Sequence, residues 1–223
     1  MKNSKKIPME LYIHIPFCVK KCEYCDFLSG PADKERKKAY IEALLSEIRG
    51  IPSLERDSRE VTSVFIGGGT PSLIEGSEIE RILKTLRTLF SFAPDAEISI
   101  EANPGTLTAE KLETYRKAGI GRLSLGLQST EDRMLRTLGR IHTWQDFLES
   151  YRKARQAGFE NINVDLMCAV PGQTYGDWIR SLRTVAKLGP EHISAYSLII
   201  EPGTPFAERA LDLPDEDTEY RMY

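Results

Sequence analysis

Six short apolar runs, most of them rich in β-branched residues, alternate with segments of helical periodicity, and this alternation limits the folds open to the chain. Ile79, Ile82, Leu83 and Leu86 recur at the i, i+3, i+4, i+7 spacing of a helix, and similar patterns separate the other runs. Strands separated by helices predict a parallel sheet in an α/β protein. The predicted strands are Leu11–Ile15, Val61–Ile66, Glu97–Ile100, Arg122–Leu127, Asn161–Leu166 and His192–Ile199.

Polar, glycine-rich or cysteine-rich groups follow the predicted strands, each near a strand's carboxyl end. In a barrel those ends meet on one face, whereas an open doubly wound sheet gathers them at one switch point. Because all six strands contribute, the pattern favours a partial (β/α)6 TIM-like barrel over the doubly wound sheet. In chain order the groups are three cysteines, Gly67–Thr70, Glu101 with Asn103, Gln128, Asp165 and Glu201–Pro205.

Composition and charge exclude several other classes of protein. The chain has 223 residues, of which 41% are hydrophobic and 28% charged, and a formal net charge of -3. That composition excludes a disordered or collagen-like chain, and the charge gives no indication of a nucleic-acid partner. The basic N-terminus is not followed by the apolar segment of a signal peptide, so we expect a cytoplasmic protein.

The chain shows no internal repeat and no compositional break inside the predicted barrel. We therefore predict a core barrel over residues 1–206, followed over residues 207–223 by the start of a C-terminal region. Leu213–Thr218 has proline and then acidic residues, which is typical of a helix start. Because this helix has room for only about two turns, we expect the C-terminal region to be truncated.

Three of the four cysteines lie within eight residues, in the spacing C-x3-C-x2-C. Thiolates are the ligands of zinc and of iron–sulfur clusters, and a structural zinc site needs four protein ligands. Cys18, Cys22 and Cys25 supply three and leave a position open, as a reactive centre requires. A zinc knuckle or free thiols are the alternatives. Cys168, in an apolar stretch, is predicted to be a small core residue.

The motifs resemble those of the radical S-adenosylmethionine (SAM) superfamily. The signature is the cysteine spacing with an aromatic residue, here Tyr24, before the last cysteine. More closely, the chain resembles the oxygen-independent coproporphyrinogen III oxidase-like group. The matching stretches are YIHIPFCVKKCEYCDF, FIGGGTPS, IEANPGTL, SLGLQS, LGRIHT, NVDLMCAVPGQT and HISAYSLIIEPGTPF.

The resemblance implies a [4Fe–4S] cluster on Cys18, Cys22 and Cys25, and SAM bound to its fourth iron. An electron from the cluster would then release a 5′-deoxyadenosyl radical, but no catalytic side chain is identified. The SAM-binding positions carried over are Tyr12, Tyr24, Gly68, Gly69, Thr70, Glu101, Gln128, Arg140 and Asp165.

Simpler interpretations stay open at several of these positions. The glycines are also typical of a tight turn, and Glu101 could be an exposed carboxylate at a strand end. Tyr12 could simply pack against its neighbours, and Arg140 could be a solvated charge on the surface. If the loop receives the methionine end of SAM, a bulky substitution at Gly69 should weaken SAM binding and leave the iron content unchanged.

The group contains two functional classes, and the sequence leaves open whether the protein is an enzyme. The oxidases, which oxidatively decarboxylate coproporphyrinogen III in porphyrin biosynthesis, have a further cysteine where this chain has Phe27. The sequence more closely resembles the heme chaperones of the HemW type, which deliver heme to respiratory proteins. Their heme motif, His-Asn-x-x-Tyr-Trp, would lie beyond Tyr223. The resemblance implies heme or a porphyrin, a one-electron reductant protein and a heme-accepting respiratory protein as partners, and it alone suggests a homodimer.

Overall fold

One parallel sheet runs through the computed structural model, which describes residues 6–222. Its six strands lie in chain order, so each strand pairs with the next one along the sequence. The sheet curves into a partial (β/α)6 barrel, as the alternation of strands and helices predicts. The strands are β1 (Ile7–Ile15), β2 (Arg59–Gly68), β3 (Ser91–Ala102), β4 (Arg122–Gln128), β5 (Asn161–Cys168) and β6 (His192–Ser197).

All six predicted strands are present, but β1 and β3 begin earlier than expected. β1 includes Pro8, which is tolerated because β1 is an edge strand with a neighbour on one side only. In β3 the pairing moves from Val61 with Phe92 to Ser63 with Glu97, and Pro94 lies inside this irregularity. The proline hides the first part of the strand from a search for alternating apolar residues.

The helices lie between the strands and bury apolar faces against the sheet. In the third helix the residues of the predicted stripe, from Ile79 to Leu86, are all buried. Two short helices, the second and the fifth, have too few apolar positions to be predicted from periodicity. The helices are α1 (Lys34–Gly50), α2 (Ser53–Asp57), α3 (Gly76–Leu89), α4 (Ala109–Lys117), α5 (Asp132–Thr137), α6 (Trp144–Gln156), α7 (Tyr175–Ala186) and α8 (Glu216–Met222).

The hydrophobic core lies between the sheet and the helices. Every residue of β4 after Arg122 is buried, and β5 is nearly as well covered. Polar side chains alternate with the core residues along these strands: Ser124, Asn163 and Asp165 hydrogen-bond to one another. Because alternate residues of a strand point to opposite faces, the sheet has one apolar face and one polar face.

The segment after β6 returns to the same core. The predicted helix start near Pro214 is confirmed by α8, and the indole Nε1–H of Trp178 in α7 donates to the backbone oxygen of Met222 at 2.6 Å.

The predicted division at residue 206 stays a prediction, and its outer limits, residues 1–5 and 223, lie outside the described residues. Within residues 6–222 no helix combines the length and apolar character needed to cross a membrane. The cytoplasmic location stays a prediction.

Candidate functional site

A cavity opens where the carboxyl ends of the strands meet. All of the predicted cluster and SAM residues except Tyr12 line it, although they come from six separate segments of the chain. These residues are Cys18, Cys22, Tyr24, Cys25, Gly68, Gly69, Thr70, Glu101, Gln128, Arg140 and Asp165. The curvature of the sheet thus gathers side chains that are far apart in sequence.

The cysteine loop follows β1, is closed by a hydrogen bond between its two ends and is tied to two other parts of the fold. The backbone N–H of Cys18 donates to the oxygen of Gly30 at 3.0 Å. Glu23 donates its backbone N–H to Leu138 at 3.1 Å and accepts from the N–H of Phe206 at 3.0 Å. Its carboxylate also pairs with Arg209 at 2.9 Å. The middle of the loop is therefore fixed by the segments after α5 and after β6.

The chemistry of the three loop cysteines fits an iron–sulfur cluster. All three are free thiols and partly exposed to the cavity. Burial raises the pKa of the Cys25 thiol, and the neighbouring thiols of Cys22 and Cys18 make smaller contributions in the same direction. Within residues 6–222 no three His, Cys, Asp or Glu side chains are arranged to hold a single metal ion. A cluster does not require that arrangement, because its cysteine ligands bind different irons.

The glycine loop, Gly67–Thr70, begins in the last residues of β2 and forms the wall beside the cysteines. Gly68 has a φ of +117°, and a Cβ there would lie 2.7 Å from the His14 ring. A Cβ on Gly69 would lie 2.8 Å from the oxygen of Phe17 and 2.9 Å from Sγ of Cys18. Glycine is thus required at both positions by close packing. A bulky residue at Gly69 would therefore press on Cys18 as well as on the ligand, so we expect it to lower iron binding together with SAM binding, in contrast to the expectation from the sequence.

Two carboxylates face the cavity from β3 and β5. Oε2 of Glu101 accepts from the backbone N–H of Gly68 at 3.0 Å. Burial raises the pKa of Glu101 to about 7, and Asp165 adds to the rise. The pKa of Asp165 is also raised by burial, against hydrogen bonds from Asn163 and Ser124. Glu101 is thus partly buried, which argues against its interpretation as an exposed carboxylate at a strand end.

Gln128 and Arg140 also line the cavity. Gln128 ends β4 with a φ of +73°, and its Oε1 accepts from the hydroxyl of Tyr196 at 2.8 Å. Nη1 of Arg140 lies 3.7 Å from Sγ of Cys22, and Nη2 donates to the backbone oxygen of Gly126 at 2.6 Å. Arg140 is therefore not a solvated surface charge.

Tyr12 and Cys168 lie away from this cavity. Tyr12 is 58% exposed and stacks on Phe65, with ring centroids 6.1 Å apart, so packing accounts for its position. Its SAM contact stays a prediction. Cys168 is buried in the core at the end of β5, with Sγ 3.3 Å from the hydroxyl of Ser197, and it does not join the loop cysteines. The prediction of a core residue is confirmed.

Tyr196 and Asn103 are among the lining residues that were not predicted as site residues. In the sequence, Tyr196 looks like any other residue of β6. Only the structure, in which its hydroxyl bonds to Gln128, shows that it belongs to the site. Asn103 follows β3 together with Glu101, and its position after a strand was the available signal. Its amide contacts both Thr70 and Arg140.

Comparison with curated proteins finds extensive similarity to heme chaperones. The chain is 42% identical over 220 residues to the heme chaperone HemW of Haemophilus influenzae, covering 97% of this chain and 57% of that protein. It is 41% identical over 217 residues to the heme chaperone HemW of Escherichia coli, with the same coverage of both chains. The chain thus spans a little over half the length of these relatives.

Comparison with solved structures finds the same fold in an enzyme. The coproporphyrinogen III oxidase of Escherichia coli, described as a radical SAM enzyme, superposes with a TM-score of 0.88 at 32% identity. The match covers 97% of this chain and 51% of that one. The radical SAM superfamily profile matches residues 12–185, which include the cysteine loop, the glycine loop and both carboxylates. The chain therefore belongs to the radical SAM superfamily.

Proposed function

We propose that this chain binds a [4Fe–4S] cluster through Cys18, Cys22 and Cys25 and binds SAM beside it. The observation that carries the proposal is the single cavity in which three free thiols meet the glycine loop and Glu101. When bound, the cluster supplies the electron for one-electron chemistry on SAM.

The chain's own residues have separable tasks in this proposal. Gly68 and Gly69 bring backbone close to the ligand because a Cβ finds no room at either position. Glu101, which lies beside Gly68, accepts hydrogen bonds from the ribose hydroxyls of SAM. Arg140 and Asp165, which line the same cavity, hold further polar groups of SAM. Tyr24 packs against Met134, Leu138 and their neighbours, so it closes the apolar side of the site.

We further propose that the complete protein is a heme chaperone that transfers heme to a respiratory protein. The similarity of 41–42% identity to heme chaperones supports this function. Phe27, which is 61% exposed and lines the cavity, stands where the oxidases of the resembling group have a further cysteine. In the same proposal, the protein receives electrons from a one-electron reductant protein and forms a homodimer.

The second candidate function is oxidative decarboxylation of coproporphyrinogen III. The TM-score of 0.88 with a coproporphyrinogen III oxidase favours it, because the same barrel supports that reaction. Fold similarity alone does not select a function, and the cysteine loop is where the two functions differ in sequence.

Anaerobic reconstitution with iron and sulfide tests the cluster and SAM proposal. We expect about four irons per chain and an electron paramagnetic resonance signal of the reduced cluster that changes on addition of SAM. Cys22→Ser should lose the cluster, whereas Cys168→Ser, which removes a core thiol, should retain it. Stoichiometric zinc without cluster formation, or equal iron in both variants, would contradict the proposal.

Parallel assays on the complete protein, reconstituted in the same way, separate the two functions. We expect heme to give that protein a Soret band that is retained through gel filtration, and coproporphyrinogen III to remain unconsumed with SAM and dithionite present. The 223-residue chain should bind heme more weakly, because the heme motif expected from the resemblance is not among these residues. The oxidase of Escherichia coli, assayed alongside, shows that the porphyrinogen assay works. Consumption of coproporphyrinogen by the complete protein would reverse the assignment.

A further inference from the structure

Asn103 connects two of the three loop cysteines through a continuous set of hydrogen bonds. Its Nδ2 donates to Oγ1 of Thr70 at 2.9 Å, and Thr70 in turn lies 3.6 Å from Sγ of Cys18. Its Oδ1 accepts from Nη2 of Arg140 at 2.7 Å, and Nη1 of Arg140 lies 3.7 Å from Sγ of Cys22. The amide is thus the midpoint of a path from one cysteine sulfur to the other.

The direction of every bond on this path is fixed by the chemistry of its members. A guanidinium has donors only, so the atom of Asn103 that faces Arg140 is the oxygen. The amide nitrogen therefore faces Thr70 and uses the hydroxyl oxygen as an acceptor. The one hydroxyl hydrogen of Thr70 is then free to point at Cys18.

Arg140 is oriented in the same way. Nη2 has two hydrogens, and Asn103 and the backbone oxygen of Gly126 accept from it at 2.7 and 2.6 Å. Nη1 is left facing the sulfur of Cys22.

The backbone of Asn103 is held independently of its side chain. Its N–H donates to Oγ of Ser72 at 3.2 Å, and its oxygen accepts from Oγ1 of Thr106 at 2.7 Å. A substitution of the side chain leaves both contacts available. The amide can therefore be removed without removing the turn that carries it.

We propose that Asn103 is a positioning residue that raises the reduction potential of the cluster by aiming Thr70 and Arg140 at the sulfurs of Cys18 and Cys22. The inference rests on the proposed cluster binding. Reduction adds negative charge to the cluster, and hydrogen bonds to its sulfurs stabilise that charge. The potential in question is that of the one-electron reduction of the cluster. In the test, dithionite supplies the electron through redox mediators.

Asn103→Leu removes both amide contacts and keeps the branched shape and the number of heavy atoms of the side chain. We expect its cluster to hold the same iron but to be at least tenfold harder to reduce, a fall of about 59 mV in midpoint potential. A redox titration followed by electron paramagnetic resonance, without SAM, measures the shift. Asn161→Leu makes the same change at the amino end of β5, away from the cavity, and should leave the potential unchanged.

A pair of threonine variants tests the path if Asn103→Leu holds little iron. Thr70→Val removes the hydroxyl and should lower the potential, whereas Thr70→Ser retains the hydroxyl and should restore it. In the double variant Asn103→Leu/Thr70→Val the shift should be smaller than the sum of the single shifts, because both act on the same bond to Cys18.

Equal potentials in the wild type and Asn103→Leu, at equal iron content, would overturn the inference. So would equal potentials in Thr70→Val and Thr70→Ser. Failure of the wild-type chain to form a cluster has a different meaning, since it would overturn the proposed cluster binding, and the inference with it.

Discussion

At the scale of single residues, the absence of a side chain at Gly69 determines how closely the glycine loop approaches the cysteines. Gly69→Ala places a methyl group 2.9 Å from Sγ of Cys18 and 2.8 Å from the oxygen of Phe17. Since the backbone oxygen cannot move out of the way easily, we expect the cysteine loop to shift. Iron per chain after gel filtration and SAM affinity should both fall, the latter at least tenfold or about 1.4 kcal/mol.

Gly30→Ala is the matched control for this change. Gly30 lies at the end of the same loop, but a Cβ there meets no atom within 4 Å. Its iron content and SAM affinity should match those of the wild type. If Gly69→Ala loses SAM affinity but keeps full iron, the loop contacts SAM without supporting Cys18.

Glu101 makes stability depend on pH. Its pKa is raised to about 7 by burial, so between about pH 4.5 and 7 the folded protein retains a proton that the unfolded chain releases. The free energy of unfolding should therefore fall as pH rises through this interval, relative to Glu101→Gln, by on the order of 1–3 kcal/mol. Urea unfolding of the cluster-free chain at several pH values measures the difference.

Glu110→Gln, at an exposed position in the first turn of α4, controls for loss of a charge. It should show no such trend. A constant difference between the wild type and Glu101→Gln from pH 4.5 to 8 would show that Glu101 titrates normally.

The residue types of the site were largely predictable, whereas their connections were not. The cysteine spacing and the glycine loop indicate their roles because few other residues serve those purposes. Asn103 and Tyr196 have no such distinctive chemistry. Their importance depends on which atoms the curved sheet brings opposite them, namely Thr70, Arg140 and Gln128.

At the scale of elements, the start of α6 is set by a reciprocal pair of side chains. Thr143 accepts from the backbone N–H of Asp146 at 3.2 Å, and Asp146 accepts from the backbone N–H of Thr143 at 2.8 Å. Thr143→Ala leaves an unpaired N–H at the helix start, so we expect a loss of about 1 kcal/mol in the free energy of unfolding. Chemical denaturation measures it.

Thr88→Ala in α3 is the corresponding control. Its hydroxyl donates to the oxygen of Lys84 within the helix, where alanine is a better helix former. Stability should stay the same or rise slightly. Equal losses of unfolding free energy in the two variants would mean that the capping hydrogen bonds of Thr143 add no stability beyond that of an exposed threonine.

Elements with regular periodicity were predictable, and those with interruptions were not. α3 shows its stripe of buried residues directly in the sequence. β3 does not, because Pro94 and a shift in pairing break the alternation within it. α2 and α5 are too short for the pattern to repeat. The physical cause is the same in each case: tertiary packing fixes segments whose local pattern is incomplete.

At the scale of the whole molecule, the sheet has a protected centre and exposed margins. β4 is buried after its first residue, whereas no residue of β6 is fully buried and β6 pairs with β5 on one side only. We expect backbone amides of β4 to exchange with deuterium more slowly than those of β6, by orders of magnitude. Exchange followed by mass spectrometry of peptides measures both strands in one sample.

Uniform protection of β4 and β6 would indicate that something covers the β6 edge, such as a second copy of the chain. Repeating the exchange at several protein concentrations identifies that case, because protection by self-association rises with concentration.

The order of the strands has a consequence for synthesis on the ribosome. Each strand pairs with its immediate neighbour along the chain, so no strand waits for a partner from the distant end. The sheet can extend vectorially as the nascent polypeptide emerges. The proposed ligand groups from Cys18 to Asp165 are in place once β5 has docked. β6 arrives last, and with it the phenol of Tyr196 that secures Gln128.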